Sequence, residues 1–163
     1  MDNRILIADE RSEISIAAAG RSETGPVRAV NEDSLFSSAP VFAVADGLGG
    51  HHRGDLASRA MVEQLALSVR PGRPTAPDAI FTAITAANAT VRAWSTRGGI
   101  AGTTIAGVAL VSLSTQIDLH WMVFNIGDSR VYLRDERGLR QVTVDHSAVQ
   151  ELLDDGSITR EQA

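Results

Sequence analysis

The chain has 163 residues, 44% of them hydrophobic, enough to bury one core and to make a single domain over 1–163 the simplest organisation. Lysine and arginine number 15 against 20 aspartates and glutamates, a formal charge of -5, which offers no footprint for a phosphate backbone and argues against a nucleic-acid partner. With no cysteine, disulfides and thiolate metal sites are excluded, so a bound metal must take oxygen or histidine ligands.

The N-terminal "MDNRILIADERSE" places acidic residues where a signal peptide has its apolar core, and no apolar run approaches the roughly 18 residues of a membrane span. A soluble, cytoplasmic chain is expected. Ile14 to Ala19, "ISIAAA", reads as a first strand, and "GRSETGPVRAVNEDS" after it as a polar excursion around a site, with Leu35 and Phe36 beginning the next pairing segment. "VFAVA", Val41 to Ala45, is short and β-branched enough for a central strand, with Gly47, Gly49 and Gly50 marking an exit turn.

"GDLASRAMVEQLALSV" predicts a helix with Leu56, Ala60, Val62, Leu65, Ala66 and Val69 as its apolar stripe. "RPGRPTAP" breaks it, and a second helix runs from Asp78, burying Ile80, Ile84, Ala87, Val91 and Trp94. Three β-rich runs follow, Thr103 to Leu113, Ile117 to Ile126 and Ser129 to Leu133, joined by connections short enough for hairpins. Helices and strands come in blocks, so the fold class is α+β, an antiparallel sheet covered by helices.

Three acidic clusters adjoin these strands: "RAVNEDS" with Arg28, Glu32 and Asp33, "ADGLGG" with Asp46 and Gly47, and "NIGDSRVYL" with Asp128 and Arg130. If the strands carrying Asp46 and Asp128 are neighbours, their carboxylates emerge together at the sheet rim, where a cation would offset an otherwise costly charge. Oxygen ligands without thiols favour Mg²⁺, Mn²⁺ or Ca²⁺, and the glycines after Asp46 let the Gly47 carbonyl approach as a further ligand. Two cations about 3.5 to 4 Å apart can lower the pKa of a shared water and neutralise a displacement at phosphorus, while the Arg28 fork suits two phosphate oxygens. Taken singly, each cluster also has a plainer reading: a "DG" turn, a hairpin with a surface ion pair, a solvated "NED" loop.

In order, "TGPVRAVNEDS", "VFAVADGLGGHHRGDLAS", "GTT", "NIGDSRVYL" and "VTVDHSAVQELLDDGSITREQA" resemble the blocks of the protein phosphatase 2C family, metal-dependent Ser/Thr phosphatases, in its bacterial form. The resemblance implies a central β-sandwich flanked by helices in four layers. It also implies removal of phosphate from phosphoserine or phosphothreonine in proteins, by water activated between two Mn²⁺ or Mg²⁺ ions, with a third ion in bacterial members. By position, Asp46 matches the bridging carboxylate, Gly47 the carbonyl ligand, Glu32 a ligand to one ion, Asp33 its supporting neighbour, Asp128 the third-ion contributor and Arg28 the phosphate clamp. A phosphorylated protein is then the substrate, and a Ser/Thr kinase the opposing enzyme.

Two departures stand out. Leu48 occupies the position after "DG" where some members carry a histidine acid, and His51 and His52 read as solvated loop residues. The family pattern also continues past the flap, read here as Ser147 to Ala163, into a strand ending in a further "DG" aspartate and a last "DN" aspartate. The resemblance therefore implies the first two-thirds of that domain, with self-association or a partner supplying the rest. The rival reading is a catalytically inactive phosphatase-like module acting through protein contacts. Among lesser signals, His120 reads as a partly exposed strand residue and His146 as part of a helix-start turn. Ser129 lacks an activating histidine, and "DGLGG" lacks the Lys-Ser/Thr ending of a P-loop.

Overall fold

The computed structural model describes residues 4–8, 13–49, 53–95, 101–113, 119–159 and 162. In chain order the elements are β1 (Arg4–Ala8), β2 (Glu13–Ala17), β3 (Asp33–Ser38), β4 (Val41–Gly49), α1 (Arg53–Ser68), α2 (Pro77–Ser95), β5 (Ala101–Thr103), β6 (Ile105–Ser112), β7 (Leu119–Ile126), β8 (Tyr132–Asp135), β9 (Gly138–Gln141) and α3 (Ala148–Asp154). Strands β3, β4, β6 and β7 lie side by side in that order, all antiparallel, with β5 extending the sheet against the far half of β4. The hairpins β1–β2 and β8–β9 stand as separate two-stranded ribbons. The α+β class with an antiparallel sheet is as expected.

Alternation along β4 sorts the sheet into two faces. Val41, Ala43 and Ala45 are buried and join Met61 and Leu65 of α1, Ile80, Ala83 and Ala87 of α2, and Ile105, Ala109, Val111 and Phe124 in one core. Period-2 burial on the sheet meets period-3.6 burial on the helices, so both helices cover this one face. Gly107 lets the layers close: a β-carbon there would fall 2.5 Å from Phe124 Cζ and 2.6 Å from Phe42 O. Phe42, Val44 and Asp46 point to the opposite face, where Val44, Trp121 and Val123 remain substantially exposed. A cavity of about 270 Å³ opens on that side between Leu35, Phe42, Val44, Val108 and Tyr132.

Three expectations need correcting. The strand that begins at Val41 does not turn out at Gly47 but runs to Gly49, because Gly47–Gly49 find new partners in β5. The segment Ser129 to Leu133 does not join the central sheet; only its end is strand, and it folds back on β9 across a turn closed by Gly138 at φ 113. On α1, Leu56 and Ala66 are exposed, whereas Ala60, Leu65 and, just past its end, Val69 are buried as expected and are joined by Ala57 and Met61. Trp94 and Ile84 of α2 pack as partly buried neighbours of the core, as expected. No helix among the described residues is long and apolar enough to cross a membrane.

Candidate functional site: a carboxylate cluster at the end of the sheet

Asp46 sits where β4 changes partners. Residues 41–44 pair with β6 and residues 47–49 with β5, in one unbroken register, and Thr104 lies between the two partner strands opposite Asp46. That interruption frees Thr104 to bind the Asp46 backbone twice. Its Oγ1 accepts from Asp46 N at 3.1 Å, and its own N–H donates to Asp46 O at 2.9 Å. Thr103 Oγ1 donates to the same carbonyl at 3.1 Å. The threonines of "GTT", to which sequence reasoning assigned no role, thus hold the backbone of the central carboxylate. Contacts 58 residues apart leave no local signal by which this could have been found.

Asp33 is the direct cross-strand neighbour of Asp46, on the same outer face of the sheet. Its N–H donates to Asn31 Oδ1 at 3.0 Å, a turn that starts β3. Asp46 consequently titrates above its usual 3.8. Partial desolvation is the largest cause, followed by the charge of Asp33 and a hydrogen bond from it, opposed by the Arg28 guanidinium and reinforced by the charge of Asp128. The charges of Asp33, Arg28 and Asp128 therefore all bear on Asp46, although the strands leading to Asp46 and Asp128 are not neighbours as the sequence reading supposed, since β6 lies between β4 and β7.

Glu32 stands beside them, ion-paired through Arg28 Nη1 to Oε2 at 3.2 Å. The arginine side chain is 66% exposed and the glutamate 14%, so the guanidinium reaches over the cluster from solvent. Such an exposed i,i+4 pair is weak and easily exchanged for an anionic ligand.

The Asp128 loop is tied down from two directions. Ser129 Oγ lies 2.6 Å from Thr104 Oγ1, linking "GDSR" to "GTT". His146 N donates to Gly127 O at 2.9 Å, and Gly127 N donates to His146 Nδ1 at 3.4 Å. Gly127 takes φ 100 and presses on Thr104, leaving no room for a side chain. Arg130 binds not Asp128 but Asp145, with Nε at 2.9 and 3.0 Å and Nη2 at 2.5 Å. Ser147 caps α3 by accepting from Gln150 N at 3.2 Å, confirming the helix start read from "DHS". His51 and His52 lie outside the described residues.

The donor set consists of carboxylates and backbone carbonyls without thiols, which suits a hard divalent cation. Partial burial and then the neighbouring carboxylates raise the pKa of Asp46, so a cation beside it would favour its ionised form. Among the described residues, no three acidic or histidine side chains close on one point as a cage. Mg²⁺ and similar ions keep several waters and need only one or two protein carboxylates, so the residues present fit such an ion as part of its ligand set.

Comparison with known proteins agrees. The family described as Protein phosphatase 2C matches residues 27–153. The chain is 36% identical over 148 residues to the serine/threonine protein phosphatase PstP of Mycobacterium tuberculosis, covering 89% of this chain and 28% of that protein. It is 36% identical over 162 residues to the serine/threonine phosphatase stp of Listeria monocytogenes, covering 88% of this chain and 60% of the relative. A solved structure of the PstP catalytic domain in complex with two manganese ions superposes with a TM-score of 0.72 at 35% identity, over 86% of this chain and 60% of that one. The chain thus spans no more than about 60% of these relatives.

Proposed function

The chain belongs to the protein phosphatase 2C family, and from that premise we propose that it is a metal-dependent phosphatase acting on phosphoserine and phosphothreonine in proteins. One observation carries the reading: Asp33 faces Asp46 across the strand pair, the charges of Arg28 and Asp128 bear on Asp46, and Glu32 pairs with Arg28.

In this reading Asp46, Asp33, Glu32, Asp128 and the Gly47 carbonyl would hold Mn²⁺ or Mg²⁺, two ions with a third at Asp128. Manganese has the firmer support, since a related catalytic domain is solved with two manganese ions. Bound divalent cations supply charge neutralisation at the phosphate and a lowered pKa for the attacking water. Arg28 releases Glu32 and turns its planar fork to two phosphate oxygens, orienting the ester for in-line displacement. Leu48, exposed two residues past Asp46 on the same strand, offers no proton to the leaving serine or threonine oxygen.

In this reading the segment that begins at Ser147 is the flap, an assignment supported by Ser147 capping α3 and by the Arg130–Asp145 pair just before it. The reading extends to a cytoplasmic location, to a Ser/Thr kinase as the opposing enzyme, and to self-association through the outer sheet face, where Val44, Trp121 and Val123 are exposed.

The test is Mn²⁺-dependent phosphate release from a phosphothreonine peptide by the 163-residue chain beside Asp46→Ala and Arg28→Ala. Release that Asp46→Ala abolishes, and for which Arg28→Ala raises KM, supports the enzyme. Release that survives Asp46→Ala refutes this site, and only silence both here and in a chain extended through the family's remaining blocks leaves a protein-binding module.

A further inference from the structure

The first turns of α1 press against two of the proposed cation ligands. Gly54 is buried near the start of the helix. A β-carbon on it would lie 2.7 Å from Glu32 Oε1, 2.8 Å from Glu32 Cδ and 2.9 Å from the carbonyl carbon of Gly47. The fit is mutual, because a β-carbon on Gly47 would overlap the Gly54 carbonyl and come within 2.6 Å of Glu32 O. Both Glu32 Cδ and the Gly47 carbonyl therefore rest in van der Waals contact with a helix residue that has no side chain to move aside. Glycine is a poor helix former, so its presence here answers to close approach and not to helix formation.

One turn on, Ser58 has no exposure. Its Oγ donates to Glu32 O at 2.6 Å, a short bond, and lies 2.9 Å from Ser34 Oγ on β3. Gly47 N donates to that same Glu32 carbonyl at 3.2 Å. Glu32 is thus held by its carbonyl from Ser58 and Gly47 and by its carboxylate from Gly54 and Arg28, while Gly47 is wedged between Glu32 and Gly54.

We propose that Gly54 and Ser58 are positioning residues, a clamp by which α1 sets the Glu32 carboxylate and the Gly47 carbonyl for the cation without touching cation or substrate. This rests on the reading of Glu32 and Gly47 as cation ligands. A side chain at position 54 pushes on rigid backbone at Gly47 on one side and on the Glu32 carboxylate on the other, so the ligand pair moves before the core does. Loss of the Ser58 hydroxyl leaves the Glu32 carbonyl to Gly47 alone.

The experiment titrates Mn²⁺ into the full 163-residue chain by calorimetry without substrate and records the thermal midpoint in chelator. It uses Gly54→Ala, Ser58→Ala, Glu32→Gln and, as a core control away from the site, Val111→Ala. Supporting residues around metal ligands typically carry about 10- to 100-fold of affinity. Gly54→Ala is expected to weaken Mn²⁺ binding within that range, and Ser58→Ala to its lower end. Val111→Ala should lower the midpoint without weakening binding. Should Gly54→Ala not fold, Ser58→Ala alone decides. Unchanged affinity in Ser58→Ala, with a midpoint lowered as in the core control, overturns the clamp. Full Mn²⁺ affinity in Glu32→Gln overturns the ligand reading on which the clamp depends, and with it the clamp.

Discussion

Replacing Asp46 with asparagine should stabilise the metal-free chain at neutral pH while destroying its response to cations. The carboxyl titrates above 3.8 because the folded surroundings disfavour its charge, mainly through partial desolvation and then through Asp33 across the strand pair. A group whose folded value is raised contributes stability below its unfolded value and loses it as pH rises through the folded one, so the ionised form is a cost at neutral pH. Like charges directly opposite in an antiparallel pair cost about 0.2–1 kcal/mol, and asparagine keeps the shape while removing the repulsion. For a domain of this size, 1 kcal/mol moves the thermal midpoint by about 2–4 °C. Calorimetric melts in chelator should therefore show Asp46→Asn up to about 4 °C above the unmodified chain at neutral pH, the difference vanishing well below 3.8 where Asp46 is protonated. Saturating Mn²⁺ should raise the unmodified chain, by about 2.7 kcal/mol at a hundredfold excess over Kd, and leave Asp46→Asn where it was. A lower midpoint for Asp46→Asn in chelator at neutral pH, or an equal gain at both pH values, would refute the electrostatic argument.

Thr104→Val conserves volume but strips the acceptor from Asp46 N and the partner from Ser129; urea unfolding should register a loss of about 1–3 kcal/mol, restored by Thr104→Ser, and an unchanged midpoint would remove this clamp. Gly107→Ala forces a β-carbon onto Phe124 and the Phe42 carbonyl, a loss of about 1–3 kcal/mol visible in the same assay. Arg130 hydrogen bonds hold the Asp145 carboxyl below 3.8, so that pair contributes stability above this value and loses it as pH falls through the lowered folded one. Stability measured from neutral to acidic pH should accordingly decline more steeply in the unmodified chain than in Asp145→Asn, and parallel curves would count against the pairing.

Strand β4, both long helices and the acidic motifs were legible because each is a local signal: a β-branched run, apolar residues at helical spacing, a proline and glycine break at 70–77. What escaped depends on partners distant in sequence. Glycines at 47 and 49 read as a turn until β5 supplies a ladder for them. "SRVYL" is as β-rich as its neighbours, yet every residue of β8 is exposed and pairs only with β9, a fate decided by the "DERG" turn after it. The first ribbon strand, β1, was passed over because five residues among acidic neighbours carry too little periodicity to declare a strand. At the site, the types of Arg28, Glu32, Asp33, Asp46 and Asp128 announce anion and cation chemistry, whereas Gly54, Ser58, Thr103 and Thr104 act by contact and show themselves only once the chain is folded.

The shared ladder of β5 and β6 along β4 makes the stretch from Ala101 to Ala106 a ruler. Thr103, Thr104 and the buried Ile105 fix some of its letters, and the backbone ladder on either side fixes its length. One residue added or lost between Thr103 and Ala106 would throw the two halves of β4 out of step, and the misfit would have to be absorbed opposite Asp46. Conservative substitutions there should cost less than single-residue insertions, even though no insertion would alter any charged group of the site.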